Sequence, residues 1–162
     1  MATIKNNHQK ITPFLWFDNN AEEAVIFYTH IFNNSKIGII SRYGENAPMP
    51  LGTVMVITFT IEGQDFTALN GGPQFTFSPA VSFVINCDTQ EEIDHYWNRL
   101  SAGGSTKQCG WLQDKFGVSW QVVPAILSEL MKGGAAKASN VMQALWKMDK
   151  LIIADLEKAY NQ

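Results

Sequence analysis

The hydrophobic positions at the start of the chain change from one period to another, and the changes predict a strand, a helix and three further strands. The run Ile11–Phe17 is apolar and aromatic and ends at polar residues, which is typical of a buried strand. Apolar residues then recur at steps of three and one, and this spacing predicts an amphipathic helix: Ala24, Phe27, Tyr28, Ile31 and Phe32. Two segments rich in β-branched residues predict the next strands, Lys36–Tyr43 and Thr53–Ile61, and the tight turn Glu62–Asp65 leads into a third, Phe66–Leu69.

The same pattern recurs 69 residues later, the separation of Glu22 from Glu91. This offset aligns Phe14 with Phe83, and it aligns the aromatic pair Phe27-Tyr28 with the pair Tyr96-Trp97. Asn19 and Asp88 then precede the two helices, and we expect their side chains to cap free backbone N–H groups there. Glycines end the second helix, and two short strands follow: Gly110–Asp114 and Ser119–Val123. The order strand, helix, strand, strand, strand is therefore predicted twice.

The tail of the chain has a different pattern. The segment Ala125–Lys132 is predicted to be helical up to two glycines. Apolar residues then recur every three or four positions: Val141, Leu145, Met148, Ile152 and Leu156. One bent helix and two short ones fit this spacing equally well, because Asp149 would cap a second helix.

Composition narrows the class of protein. The 162 residues are 46% hydrophobic and 12% aromatic, which is typical of a folded domain. A formal net charge of -3 without a basic block argues against a nucleic-acid partner. Residues 1–10 lack the apolar core of a secretory signal, and no run of apolar residues is long enough to span a membrane. With only two cysteines, the chain is not a disulfide-stapled scaffold. Together these observations lead us to expect a cytoplasmic protein without membrane or nucleic-acid partners.

Three segments carry a resemblance to a known family: Asn19–Ala24 with Phe27-Tyr28, Ala68–Gly72, and the long motif Gln108–Pro124. Together they resemble the PhnB-like branch of the vicinal oxygen chelate superfamily, which includes glyoxalase, bleomycin-resistance proteins and extradiol dioxygenases. The branch is often labelled 3-demethylubiquinone 3-methyltransferase. The resemblance implies a homodimer and a curled mixed β-sheet trough. We therefore expect an α+β fold of two tandem βαβββ modules, residues 11–70 and 80–124, with a C-terminal helical extension, residues 125–160.

The superfamily usually places a metal in this trough, held by one residue from the first and last strand of each module. Carried over by counting from the hairpin glycines, the four positions are Pro13 (or its neighbour Thr12), Thr67, Ser82 and Gln121. Divalent metals are held by carboxylate, imidazole or thiolate groups, and none stands at these positions. No glycine-rich loop opens a helix, as a nucleotide-type cofactor site would require. We therefore expect no metal and no cofactor, while a divalent metal bound in another way stays open.

A trough of this kind is predicted to bind a small, aromatic organic ligand. An amide such as that of Gln121 is costly to bury without a partner, and aromatic side chains usually wall a small-molecule pocket. The expected ligand-binding residues are Trp16, Thr67, Asn70, Phe75, Ser82, Trp111 and Gln121. The segment Gly71–Phe77 is expected to form a mobile cover.

The alternative is an enzyme of the superfamily (a lyase, a dioxygenase or the labelled methyltransferase) with an unknown substrate. The candidates for catalysis are Cys109 and Asp114, both in the long motif. Each also has a structural interpretation, which we favour. A reactive cysteine needs a cation or a helix N-terminus beside it, and an aspartate that opens a hairpin typically forms an Asx-turn.

Overall fold

A computed structural model describes residues 9–162, and the contacts within it divide the chain into two compact units. The first unit ends at Thr76 and the second begins at Phe77. Each unit contains one four-stranded sheet, so the α+β prediction is confirmed.

The first module forms in the predicted order. Its elements are β1 (Phe14–Phe17), α1 (Ala21–Ile31), β2 (Ser35–Arg42), β3 (Val54–Ile61) and β4 (Gln64–Asn70). The sheet order is β1-β4-β3-β2, with β1 parallel to β4 and the other pairs antiparallel. Alternate residues of the strands are buried with the apolar side of α1, for example Ile57, Phe59 and Ala68. The edge strand β2 has a bulge between Ile37 and Ile40.

The second module repeats this topology. Its elements are β5 (Phe83–Cys87), α2 (Gln90–Leu100), β6 (Ser105–Thr106), β7 (Trp111–Gln113) and β8 (Ser119–Pro124), in the sheet order β5-β8-β7-β6. The helices keep the offset of 69, but the strands do not. Phe14 lies opposite Thr67, whereas Val84 lies opposite Gln121. The equivalent of Phe14 is thus Val84 and not Phe83, because the strand-to-helix connection is one residue shorter in the second module.

The helix starts differ from the expected caps. The residue before α1 is Asn20, and no side chain near it in sequence caps the helix; instead the Ala21 N–H donates to Asn70 Oδ1 over 2.8 Å. In α2 the cap is Thr89, whose hydroxyl accepts from the Glu92 N–H at 3.2 Å. The prediction that Asn19 and Asp88 cap the two helices was wrong, because one further residue separates each of them from the first residue of its helix.

The extension forms a short turn of helix and two helices: α3 (Leu127–Leu130), α4 (Ala135–Leu145) and α5 (Ile153–Tyr160). Of the two alternatives, the structure thus has two short helices. Asp149 lies in their connection and does not cap α5, whose preceding residue is Ile152. The chain is not helical between α4 and α5, so the helical spacing of apolar residues does not continue there and Leu151 is buried rather than Ile152. The buried cluster consists of Leu130, Val141, Leu145, Leu151 and Leu156.

Within residues 9–162, none of the helices combines the length and the apolarity needed to cross a bilayer.

Candidate functional site

The face of the first sheet away from α1 changes in character along its strands. We call it the open face of the first module. Residues that lie opposite each other on neighbouring strands share a face, and the register defines three rows. One row is polar (Lys36, Thr60, Asp65), the next is mixed (Phe14, Thr58, Thr67), and the third is mainly apolar (Trp16, Ser41, Val56, Leu69). The face is therefore amphipathic.

A groove of ≈ 310 Å³ lies at the polar end of this face. Its lining includes Thr12 and Thr67, and of the alternatives Pro13 and Thr12 only Thr12 belongs to it. Two other threonines of the groove are engaged: Thr58 Oγ1 accepts from the Ile39 N–H, and Thr60 Oγ1 donates to Asp65 Oδ1.

Three groups of the groove remain available for a ligand. Neither the hydroxyls of Thr12 and Thr67 nor the ammonium group of Lys36 makes a hydrogen bond or ion pair to another residue of the range 9–162. The ammonium group of Lys36 attracts an anionic group, whereas the Asp65 carboxylate in the same groove repels one, so an anion is favoured on the Lys36 side of the groove.

The apolar end of the face is built around Trp16. The indole Nε1 donates to the Gly72 carbonyl at 2.9 Å, and the ring of Phe75 lies edge-on to it with a centroid distance of 5.0 Å. A Cβ at Gly71 would overlap the indole, so Gly71 is required for this close approach. Phe75 is 62% exposed, and its ring is thus accessible to a flat molecule. Whether the segment Gly71–Phe77 moves stays a prediction.

The second module has a corresponding face. Trp111, Gln121 and Val84 form one row across its sheet, and we call this side the open face of the second module. Gln121 Nε2 donates to Ser82 Oγ at 2.9 Å, so Ser82 provides the partner that this amide requires. Ser119 lies on the same strand face as Gln121, and its Oγ is the one buried side-chain oxygen or nitrogen atom in the described chain without a hydrogen-bond partner.

Asn70 has a structural role that its motif does not reveal. The side chain is buried, and its Nδ2 donates to the Val54 carbonyl at 2.9 Å while its Oδ1 accepts from the Ala21 N–H. Both bonds go to backbone groups on the side of α1, opposite to Thr67. We therefore leave Asn70 out of the open face.

Asp114 organises the β7–β8 hairpin. Its Oδ1 accepts from the Phe116 and Val118 N–H groups at 2.9 and 3.0 Å, and its Oδ2 accepts from Trp120 Nε1 at 2.8 Å. The bond to the amide two residues on is the expected Asx-turn. A carboxylate that is 3% exposed and bonded in this way is held in place by the fold.

The two cysteines differ in surroundings. Cys109 is half-buried, and its backbone N–H donates to the Met148 carbonyl at 2.7 Å. Cys87 is fully buried, and this burial, with the charges of Glu92 and Asp88 adding to it, raises the pKa of its thiol to about 12. Cys87 is therefore a protonated, small apolar core residue at neutral pH.

The residues present do not fit the metal of the superfamily. Opposite each other on β1 and β4 are Phe14 and Thr67, and on β5 and β8 they are Val84 and Gln121. Asp65, which the sequence reasoning missed, adds one carboxylate two residues before Thr67, but Thr60 already bonds to it. Among residues 9–162, no three His, Cys, Asp or Glu side chains are grouped so that they could hold a metal ion.

The comparisons with known proteins agree with this fold. The family model described as 3-demethylubiquinone-9 3-methyltransferase matches residues 9–123. The PhnB protein from Bacillus cereus is 45% identical, with a TM-score of 0.68, and the match covers 72% of this chain and 100% of that one. A Pseudomonas aeruginosa protein is 22% identical with a TM-score of 0.60, covering 72% and 98%. The fosfomycin resistance protein FosX from Listeria monocytogenes is 19% identical with a TM-score of 0.53, covering 76% and 96%. No curated protein matches.

Two βαβββ modules in tandem with an amphipathic open face define a protein of the vicinal oxygen chelate superfamily. Within it, this chain belongs to the PhnB-like family described as 3-demethylubiquinone-9 3-methyltransferase. The connection from β1 to α1 reads Asp18-Asn19-Asn20 and that from β5 to α2 reads Asp88-Thr89, so neither contains a glycine. Residues 124–162 lie beyond the matched range.

Proposed function

We propose that the open face of each module binds a small organic molecule with a flat aromatic part, that the first face also holds an anionic end, and that no metal is used. The observation that carries this proposal is the gradient along the first open face. Trp16 and Phe75 offer an accessible aromatic pair at one end, and Lys36, Thr12 and Thr67 offer a free cation and free hydroxyls at the other. An apolar wall with a few convergent polar groups is the usual construction of a small-molecule site.

The second module supports the proposal with groups of the same kind. Trp111 would contribute aromatic surface, and Gln121 would contribute its Oε1, which has no hydrogen-bond partner within residues 9–162. The buried Ser119 hydroxyl on the same face would gain a partner from a polar ligand atom.

The enzymatic alternative has less support. The carboxylate oxygens of Asp114 are occupied by three donors, and the backbone of Cys109 is bonded to the extension. A general acid or base must be within hydrogen-bond reach of the reacting group, and Asp114 does not meet this requirement.

A thermal-shift assay tests the proposal with 1-naphthoate and with its neutral analogue 1-naphthol, on protein treated with a chelator. Binding to the native state raises Tm by mass action. We expect 1-naphthoate to raise Tm, Trp16→Phe and Thr67→Val to weaken binding, and Lys36→Ala to weaken binding of 1-naphthoate about ten-fold while leaving 1-naphthol unchanged. Lys132→Ala and Trp146→Ala, both outside the proposed surface, serve as matched controls. A Tm that rises with a divalent metal and with neither compound would overturn the proposal.

We also propose that the protein is a homodimer, and a cytoplasmic location stays a prediction from the sequence. The edge strand β2 exposes three isoleucines, of which Ile39 is 73% exposed, and such an apolar strand edge is suited to cover by a second copy. Sedimentation at micromolar concentration should give the mass of a dimer, and Ile39→Asp should shift it toward the monomer. A wild-type protein that sediments as a monomer would contradict this proposal.

A further inference from the structure

The connection between α4 and α5 crosses the start of the long sequence motif. We call residues 148–153 the strap. The Cys109 N–H donates to the Met148 carbonyl at 2.7 Å, and the Gly110 N–H donates to the Asp149 carbonyl at 2.8 Å. Two consecutive amides of the motif are thus bonded to two consecutive carbonyls of the extension.

The strap is itself fixed on α2. Lys150 Nζ forms an ion pair with Asp94 Oδ1 at 2.6 Å. Gln90 makes two hydrogen bonds to the strap: its Nε2 donates to the Leu151 carbonyl at 3.2 Å, and its Oε1 accepts from the Ile153 N–H at 2.9 Å. The ion pair, with a further bond from Gln90 to the carboxylate, holds the pKa of Asp94 below its ordinary value. Side chains of α2 therefore hold the middle and the C-terminal end of the strap.

The strap holds an unfavourable backbone conformation. Cys109 has φ of 63° and Gly110 has φ of 79°, so two consecutive residues are left-handed. A non-glycine residue in this region costs about 1 kcal/mol, and it persists only where the surroundings enforce it. The two backbone N–H groups that donate to the strap belong to these two residues, Cys109 and Gly110.

The strained turn sets the direction of the strand that carries Trp111. The Gly110 carbonyl accepts from the Val122 N–H at 2.8 Å, and Trp111 then pairs with Gln121 across the sheet. A Cβ on Gly110 would lie 2.7 Å from the Val122 carbonyl oxygen and 3.1 Å from Leu151 Cδ1, so the turn fits closely between β8 and the strap. Gly110 thus connects the strap to β7, the strand that carries Trp111.

We propose that the strap positions Trp111 for ligand binding, so that docking of the C-terminal extension and occupation of the second open face favour each other. This coupling rests on the proposed function. The strap lies beyond residues 9–123, the range that the family model matches, so that range alone does not provide the coupling. Because coupling is reciprocal, a ligand that contacts Trp111 should stabilise the strap by the same factor by which the strap improves affinity.

Hydrogen exchange of the full-length protein tests the positioning without any ligand. Lys150→Ala should accelerate exchange of the Cys109 and Gly110 amides about five-fold, since a partly exposed ion pair contributes at most about 1 kcal/mol. Gln90→Ala, which removes both bonds to the strap and the bond to Asp94, should accelerate it more. Lys150→Arg should restore the wild-type rate, and Lys132→Ala, which breaks an ion pair within the same extension, is the matched control. Unchanged exchange in the first two variants, or an equal change in the control, would overturn the proposal.

Titration with 1-naphthoate tests the coupling. We expect Lys150→Ala and Gln90→Ala to weaken binding three- to ten-fold, and saturating ligand to slow exchange at Cys109 and Gly110. Equal affinity in all variants, together with ligand binding to the wild type, would refute the coupling. If the wild type binds neither naphthyl compound, the proposed function fails instead, and the exchange rates still test whether α2 holds the strap on Cys109 and Gly110.

Discussion

Asp114→Ala is expected to lower the free energy of unfolding of the second unit by about 3–5 kcal/mol. The substitution leaves three donors without an acceptor: the Phe116 and Val118 N–H groups and Trp120 Nε1. A buried donor that loses its partner costs about 1–3 kcal/mol, and bonds to an ionised acceptor are at the upper end of the range. Urea denaturation followed by tryptophan fluorescence measures the effect, because Trp120 is among the residues affected.

Two further variants separate this effect from the loss of a surface charge. Asp114→Asn keeps one acceptor oxygen and should lose less stability than the alanine variant. Asp155→Ala removes an exposed carboxylate in the first turn of α5 and should cost below about 1 kcal/mol. Similar losses for Asp114→Ala and Asp155→Ala would show that the hairpin does not depend on the buried carboxylate.

The second large effect is expected in the first module, where Asn70→Ala should lower the free energy of unfolding by about 2–4 kcal/mol. The side chain of Asn70 joins β4 to the start of α1 and to β3, and its removal leaves the Ala21 N–H and the Val54 carbonyl unpaired in the core. Chemical denaturation measures the loss, and circular dichroism before denaturation checks that the variant folds.

Asn86→Ala provides the control for this prediction. Asn86 lies on β5 and is exposed, so its substitution should change stability by less than about 0.5 kcal/mol. Asn70→Asp keeps the acceptor for Ala21 but places an oxygen against the Val54 carbonyl, and it should be destabilised as well. A neutral Asn70→Ala variant would mean that Asn70 acts on a ligand, as its motif first indicated, and not on the fold.

The sequence predicted the elements that depend on neighbours close along the chain. The elements of the first module follow from hydrophobic period and turn residues, as do those of the second except β6, and the Asx-turn at Asp114 follows from an aspartate that opens a hairpin. Each of these signals acts over a few residues, so a single sequence contains it.

The features that the sequence did not reveal depend on long-range contacts. Asn70 caps α1 from 49 residues away, and Gln90 bonds to the strap over a separation of 61 and 63 residues. The offset of 69 residues holds for the helices but is one residue short for β1 and β5. The connection between β5 and α2 is one residue shorter than that between β1 and α1, and a single offset cannot represent this difference. Asp65 is different: it stands two residues before Thr67, so the alternation of side chains along a strand would by itself have placed it on the same face.

The bulged edge strand β2 has a consequence for biosynthesis. The first module leaves the ribosome before the rest of the chain, and from then on this strand presents unpaired backbone groups and isoleucines to other nascent chains. The bulge between Ile37 and Ile40 interrupts the regular ladder that an intruding strand would need, and the cationic Lys36 and Arg42 flank the apolar run. Residues of this kind act as gatekeepers against edge-to-edge aggregation. Regularising the bulge should therefore raise the yield of inclusion bodies during expression.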